Sequence, residues 1–397
     1  MRSIAAIAEK HAELTAIRRD LHAYPELAFE EHRTADLIAN KLLDWGIEVH
    51  SGLATTGVVG LIHGKHRPVR TRLLGLRADM DALPVQEQNT FAHASRHPGC
   101  MHACGHDGHV AMLLGAAQYL AATRDFAGTV AVIFQPAEEF GGGANVMLRE
   151  GLLERFPLEA IFGLHNMPGI PAGSFALSSG PVLASNNEFK LLIQGKGGHA
   201  AMPHLTADPI IVASQIIPAL QTIISRNKPP LESAVISVTT MLAGDTFNVI
   251  PDHCMMGGTV RAYTTPTLDL IETRMREVAE MIAQAHGASS VLEFNRIYPA
   301  THNHEAETNF AREVLKKLVG PKRLLQQSPI MAAEDFAFML ERVPGCYAFI
   351  GNGDGSHRLD GHGQGPCLVH NSSYDFNDEI IPLGASYFAR LVERWLI

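Results

Sequence analysis

Apolar residues recur along the chain with two different periods, and the places where one gives way to the other predict its elements. Over residues 3–22, Ile4, Ile7, Leu14, Ile17 and Leu21 fall at helical spacing and predict a single amphipathic helix. Tyr24-Pro25-Glu26 breaks that pattern, and a second helix follows from Glu30 to Trp45, stopped by Gly46. The apolar runs 58–63 and 72–77 predict strands, and the second leads into Ala78-Asp79-Met80-Asp81-Ala82-Leu83-Pro84, which sets two aspartates at a strand end. An Ala/Leu-rich helix over 110–122, a β-branched strand over 129–134, a helix after Gly141–Gly143 and a short strand over 160–164 continue the alternation. Strands alternating with helices predict an α/β core on a mostly parallel sheet, a class whose sites lie past the strand C-termini.

From residue 188 the order changes to strand (188–195), helix (207–226), strand (233–243), strand (252–263), helix (266–286) and strand (289–297). That βαββαβ order predicts a ferredoxin-like α+β sandwich. It carries few candidate ligands, so it is expected to be a separate inserted domain. The predicted division is residues 1–186 and 298–397 for a discontinuous first domain and 187–297 for the insert, with the first domain resuming as a helix over 305–319.

Composition narrows the class. The 397 residues call for two domains, and 46% hydrophobic with 18% charged residues suits a soluble globular chain. A net charge of −9 without a basic cluster argues against nucleic acid as a partner. Five scattered cysteines make no disulfide framework, and a thiolate ligand needs reducing conditions, so the expected location is cytoplasmic. The N-terminus lacks the apolar run of a signal peptide, no segment reads as a membrane span, and no membrane partner is expected.

The candidate chemistry begins at Met101-His102-Ala103-Cys104-Gly105-His106-Asp107-Gly108-His109. Thiolate, imidazole and carboxylate side chains crowded between glycines are the donors that zinc and similar ions take. The second half is Glu138-Glu139, which follows an apolar strand and precedes a glycine-rich turn. Neighbouring side chains at a strand end point apart, so one glutamate can bind a metal while the other moves a proton. His165 and His370 are read as sitting at two further strand ends. No His-Glu-x-x-His, phosphate-binding Lys-Ser/Thr loop or Gly-x-Ser-x-Gly elbow occurs.

These stretches, together with Arg18 to His22, Pro25 to Leu27, Arg77 to Pro84, Gly163 to Asn166, Gly195 to His204, Asn248 to Asp252, Gly258 to Arg261, Glu334-Asp335-Phe336 and His370 to Asp378, resemble the M20 metallopeptidase family. The resemblance is to its amidohydrolase branch of hippurate, N-acyl-amino-acid and auxin-conjugate hydrolases. It implies a zinc-peptidase-like catalytic domain, an inserted lid and dimerisation domain, and a homodimer or higher homo-oligomer. It further implies two divalent ions, zinc or manganese foremost and cobalt or nickel as alternatives. Their ligands would be Cys104, His106, Glu139, His165 and His370, with Cys104 bridging, Glu139 and His370 on one ion, and His106 and His165 on the other. Glu138 would be the general acid/base, Asp81 would support the ligands, His199 would steady the oxyanion, and Asn248 and Arg261 would grip the substrate carboxylate. His102 and His109 are left to packing or support, and Asp107 to orienting the turn.

The implied reaction is cleavage of an N-acyl amino acid to a carboxylic acid and a free amino acid. Its rivals are a dipeptidase, an N-acetyl-diaminopimelate deacetylase, a non-catalytic metal- or substrate-binding protein, and an unrelated enzyme with one structural zinc at residues 102–109. Two positions depart from the family pattern: Phe140, where many relatives carry glycine, and Asn187-Glu188 in place of Asp-x at the domain junction.

Overall fold

A computed structural model describes residues 3–66 and 72–397. The chain divides into two compact units, one of residues 1–182, 302–328 and 335–397, the other of residues 183–301 and 329–334.

The first unit is built on an eight-stranded mixed sheet. Its centre is parallel: Leu73–Asp79 lies between Thr129–Gln135 and Ala160–Pro168, and Gly345–Gly353 adds beyond the last. Antiparallel strands flank this centre, with Gly57–His63 and Glu48–Leu53 on one side and Phe175–Ala176 on the other. The helix His106–Thr123 packs against the sheet and against Ile381–Trp395 and His11–Ala23. Its residues from Val110 to Ala117 are all fully buried, which explains why it shows no polar face in sequence. Gly108 is required there, because a Cβ would enter the Phe376 ring.

The second unit is a four-stranded antiparallel sheet in the order Ala234–Leu242, His253–Ala262, Asn186–Gln194, Ser289–Tyr298. Along Asn186–Gln194, Asn187, Phe189, Leu191 and Ile193 are buried while Glu188, Lys190 and Gln194 are exposed, the period-2 alternation of a one-faced sheet. The helices Pro209–Thr222 and Thr265–Ala285 complete its apolar core. The sandwich order is the one read from the sequence. Asn187 replaces the expected aspartate with a donor: its side-chain amide donates to Ser185 Oγ (2.9 Å) and to the Val260 carbonyl (3.0 Å).

Several sequence expectations are corrected. The helix expected over 3–22 is two helices, Ala5–Ala8 and His11–Ala23. The helix after the histidine-rich motif starts at His106, inside the motif. His165 lies within a strand that continues to Pro168, because Asn166 and Met167 pair with Ile350 and Gly351. His370 is not on a strand; its φ of 63° belongs to a left-handed turn. The segment Pro209–Asn227, contrary to expectation, is long and apolar enough by composition to cross a membrane. Here its apolar side chains Val212, Ile216, Leu220 and Ile223 fill the core of the second unit.

Candidate metal centre

Cys104 and His106 flank a glycine whose φ of 97° is open only to residues without a Cβ. A Cβ on Gly105 would also run into the Asn166 amide and the Tyr374 hydroxyl. Those two groups buttress the turn: Tyr374 donates to Asn166 Oδ1 (2.7 Å), and Asn166 Nδ2 donates to the Cys104 carbonyl (2.6 Å).

The histidines sort by what their ring nitrogens already touch. His106 Nδ1 lies 2.9 Å from the Asp81 carbonyl, which can only accept, so Nδ1 carries a proton and Nε2 is the atom left to face a ligand. That Nε2 is buried with no hydrogen-bond partner. His165 repeats the arrangement, with Nδ1 2.5 Å from the Asn166 carbonyl and Nε2 3.4 Å from Cys104 Sγ. His109 differs: Nδ1 lies 2.6 Å from Asp79 Oδ1, and Nε2 accepts from the Asn166 backbone N–H at 2.9 Å. Both of its nitrogens are tied to protein partners, whereas His106 and His165 turn Nε2 toward the candidate ligands. His102 is buried without a partner for either nitrogen, and burial lowers it to about 4, so it is a neutral packing group at pH 7.

The Glu pair follows Thr129–Gln135 at a corner where Ala137 has φ 55°. Holding alanine in this left-handed region costs on the order of 1–2 kcal/mol. Asp81 ties the pair to the motif: Oδ2 accepts the Glu139 N–H (2.9 Å) and Oδ1 lies 3.2 Å from His106 Nδ1. Glu139 Oε1 is buried without hydrogen-bond geometry, 3.2 Å from His370 Nε2 and 4.0 Å from His106 Nε2. His370 is carried in by its left-handed turn, fixed by its N–H donating to the Ala103 carbonyl (2.7 Å).

Ligand atoms of Cys104, His106 and His165 lie within 4.8 Å of one another, and so do those of Cys104, Glu139 and His370. The two groups share Cys104. Glu138, only 6% exposed, makes a third such group with His106 and Glu139. Orphaned buried acceptors and a thiol-imidazole-carboxylate set fit divalent cations. Burial pushes the Cys104 thiol up, and the charge of Glu139 adds to it. The closeness of Cys104, and then of Glu139, raises His370 to about 10. A cation must displace both protons, so its affinity rises with pH.

Behind the motif lies a buried ion network. Asp107 lies 2.9 Å from Arg18 Nε and 2.8 Å from His22 Nδ1, and His22 Nε2 lies 3.2 Å from Glu87. Burial and Arg18 push the His22 imidazole down, but its bonds to Asp107 and Glu87 outweigh them and raise it to about 9. The sequence reading missed the roles of Asn166 and Tyr374 and gave no place to Glu31. Both lie in matched stretches, Asn166 beside His165 and Tyr374 shortly after His370, but neither carries a metal-donor signal.

The remaining predicted residues belong to the second unit. His199 and Asn248 are exposed neighbours, brought together by the ribbon of Gly198–His199 with Val249–Ile250 and by Ala200 N–H donating to the Asn248 carbonyl (3.0 Å). His199 Nδ1 accepts from Ala201 N–H (3.1 Å), which leaves Nε2–H as an outward donor. Arg261 is half-buried in His253–Ala262, and burial lowers its pKa.

Residues 75–394 match the model of peptidase family M20/M25/M40. The chain is 40% identical over 397 residues to the hippurate hydrolase of Campylobacter jejuni, covering 100% of both chains. It is 41% identical to the N-acetyl-L-cysteine deacetylase of Bacillus subtilis over 95% of this chain and 86% of that protein. Among solved structures, a dinuclear metal-binding M20 peptidase of Bacillus subtilis superposes with a TM-score of 0.84 at 34% identity, covering 98% of this chain and 99% of that one.

Proposed function

The chain belongs to peptidase family M20/M25/M40, and from that footing we propose that it hydrolyses the amide of an N-acyl amino acid, hippurate-like or N-acetylated. It is a metal-dependent amidohydrolase acting on a small-molecule substrate. The observation that carries the hydrolytic reading is a pair of ligand groups sharing Cys104, with Glu138 beside them and outside both, while the N-acyl substrate class rests on the likeness to the hippurate hydrolase and the N-acetyl-L-cysteine deacetylase.

In this reading Cys104, His106 and His165 would hold one divalent ion, and Cys104, Glu139 and His370 would hold the other. The ions supply Lewis acidity, which acidifies water and polarises an acyl oxygen. Glu138 accepts the proton of the attacking water and passes it to the leaving amine nitrogen. Asp81 keeps the His106 tautomer and the Glu139 backbone in place. His199 donates to the developing oxyanion, and Asn248 and Arg261 bind the amino-acid carboxylate, for which a guanidinium is well shaped. The second unit serves as lid and dimerisation domain. The thiolate ligand favours zinc, while the imidazoles and carboxylate also accept manganese, cobalt or nickel. It also favours a reducing, cytoplasmic setting.

The test is a hydrolysis screen of benzoylglycine, acetyl-amino acids and dipeptides, with and without chelator. Chelator-sensitive release of amino acid from acyl substrates is expected. Faster turnover of dipeptides would replace this reading with a dipeptidase. Metal content near two per chain, lowered alike by Cys104→Ala and His370→Ala, is the companion result; a single ion unaffected by His370→Ala would reduce the centre to a structural site.

A further inference from the structure

Glu138 is useful only if its carboxylate is aimed, and the backbone carrying it is bent at Ala137 into a conformation that non-glycine residues avoid. Bonds from four directions restrain the corner. Gly143 N–H donates to the Ala137 carbonyl (3.0 Å), Glu139 N–H to Asp81 Oδ2 (2.9 Å) and Asp335 N–H to Glu138 Oε1 (3.4 Å). The fourth involves a residue far back in the chain: Glu31 Oε1 accepts the Ala137 N–H at 2.9 Å, and its Oε2 accepts the Thr56 hydroxyl at 2.6 Å. Glu31 is fully buried.

Its place in the fold shows that this contact is not incidental. Glu31 is the N-cap residue of the helix His32–Asp44, where a side-chain oxygen ordinarily accepts one of the helix's free N–H groups. It makes no such bond. The free N–H groups of Arg33 and Thr34 donate instead to Glu26, at 3.0 and 2.8 Å. Capping is transferred to Glu26, and the Glu31 carboxylate turns away from its own helix to reach a backbone group 106 residues on. A buried carboxylate is costly unless donors meet it, and one of the two donors here is the corner itself.

We propose that Glu31 is a positioning residue for the hydrolysis: by holding the Ala137 N–H it sets the direction of Glu138. Two carboxylates then grip the chain on either side of that residue, Glu31 through Ala137 and Asp81 through Glu139. The proposal rests on the functional reading above. Glu31 acts as an acceptor, so an uncharged acceptor of the same shape does the same work.

The test compares wild type, Glu31→Gln and Glu31→Leu with both ions loaded. Glu31→Leu is expected to lower kcat on the order of 100-fold with KM little changed and two ions retained, and Glu31→Gln to stay within about threefold of wild type. Backbone deuterium uptake in a peptide spanning residues 135–142, read without substrate, is expected to rise in Glu31→Leu and not in Glu31→Gln. Wild-type kcat in Glu31→Leu, or equal impairment of the Gln and Leu variants, overturns the assignment. If Glu31→Leu does not fold, Thr56→Val decides: without the hydroxyl that aims Glu31, kcat is expected to fall about tenfold, and an unchanged kcat overturns the proposal. Absence of any wild-type turnover of N-acyl amino acids would instead sink the functional reading, while the exchange measurement would still report on the Glu31 contact.

Discussion

The polar residues of the two units are held in opposite ways. In the first unit candidate ligands are oriented by neighbours that engage their other polar atoms: the Asp81 carbonyl behind His106, the Asn166 carbonyl behind His165, Asp81 Oδ2 behind the Glu139 N–H. In the second unit His199 and Asn248 stand exposed on a two-residue ribbon, restrained mainly by backbone pairing and by Ala201 N–H and Thr246 Oγ1. A centre that binds small cations has to be shaped before the cation arrives, because ligand geometry sets affinity. Residues that meet a larger, variable substrate can be shaped by the encounter. The first group should therefore respond to substitution through metal and protons, the second through turnover alone.

The largest expected effect tests the first half of that contrast. Glu138→Ala should lower kcat by roughly 10³–10⁴-fold, the scale of a lost general acid/base, with the metal content unchanged. Near-normal turnover, measured alongside metal analysis, would remove Glu138 from the reaction. His199→Ala tests the other half: kcat should fall on the order of 10²–10³-fold with metal content and unfolding midpoint both unchanged. Loss of metal in that variant would break the comparison, because it would couple an exposed residue to the ions.

A third, smaller effect sharpens it. His22 is raised to about 9 in the folded chain against an ordinary 6.5, so its stabilisation is fully present below pH 6.5 and is lost as pH rises through 9. The amount is on the order of 3 kcal/mol. Trp45 and Trp395 are the only tryptophans and both belong to the first unit, so denaturation followed by their fluorescence reads that unit. Stability should decline between pH 6.5 and 9 in wild type and less steeply in His22→Gln, where His370 still contributes. Equal slopes would show that the network behind the motif does not carry this linkage.

Much of this was legible in the sequence because the signals are local. The βαββαβ order of the second unit follows from period alone, and the helix 305–319 was read with the bounds Glu305–Val319 that the structure shows. Cys104, His106 and the Glu pair stand out by residue type. His165 and His370 were found by type but given the wrong local structure, because a strand's end depends on its neighbour's length and a left-handed turn at a histidine leaves no composition signal. Glu31 was invisible for a different reason. Inside a helix read from Glu30 it is one more first-turn carboxylate, and only the long-range contacts show that Glu26 caps the helix while Glu31 reaches Ala137.

One feature of the candidate metal centre bears on whether a third ion could join it. Asp79, His106 and His109 come close enough to form a third cation site. The atoms of that group are already engaged: His109 Nδ1 lies 2.6 Å from Asp79 Oδ1 and Nε2 accepts the Asn166 N–H at 2.9 Å, so an ion there would have to displace one of these contacts. A third ion would therefore enter at the expense of contacts that already brace the site.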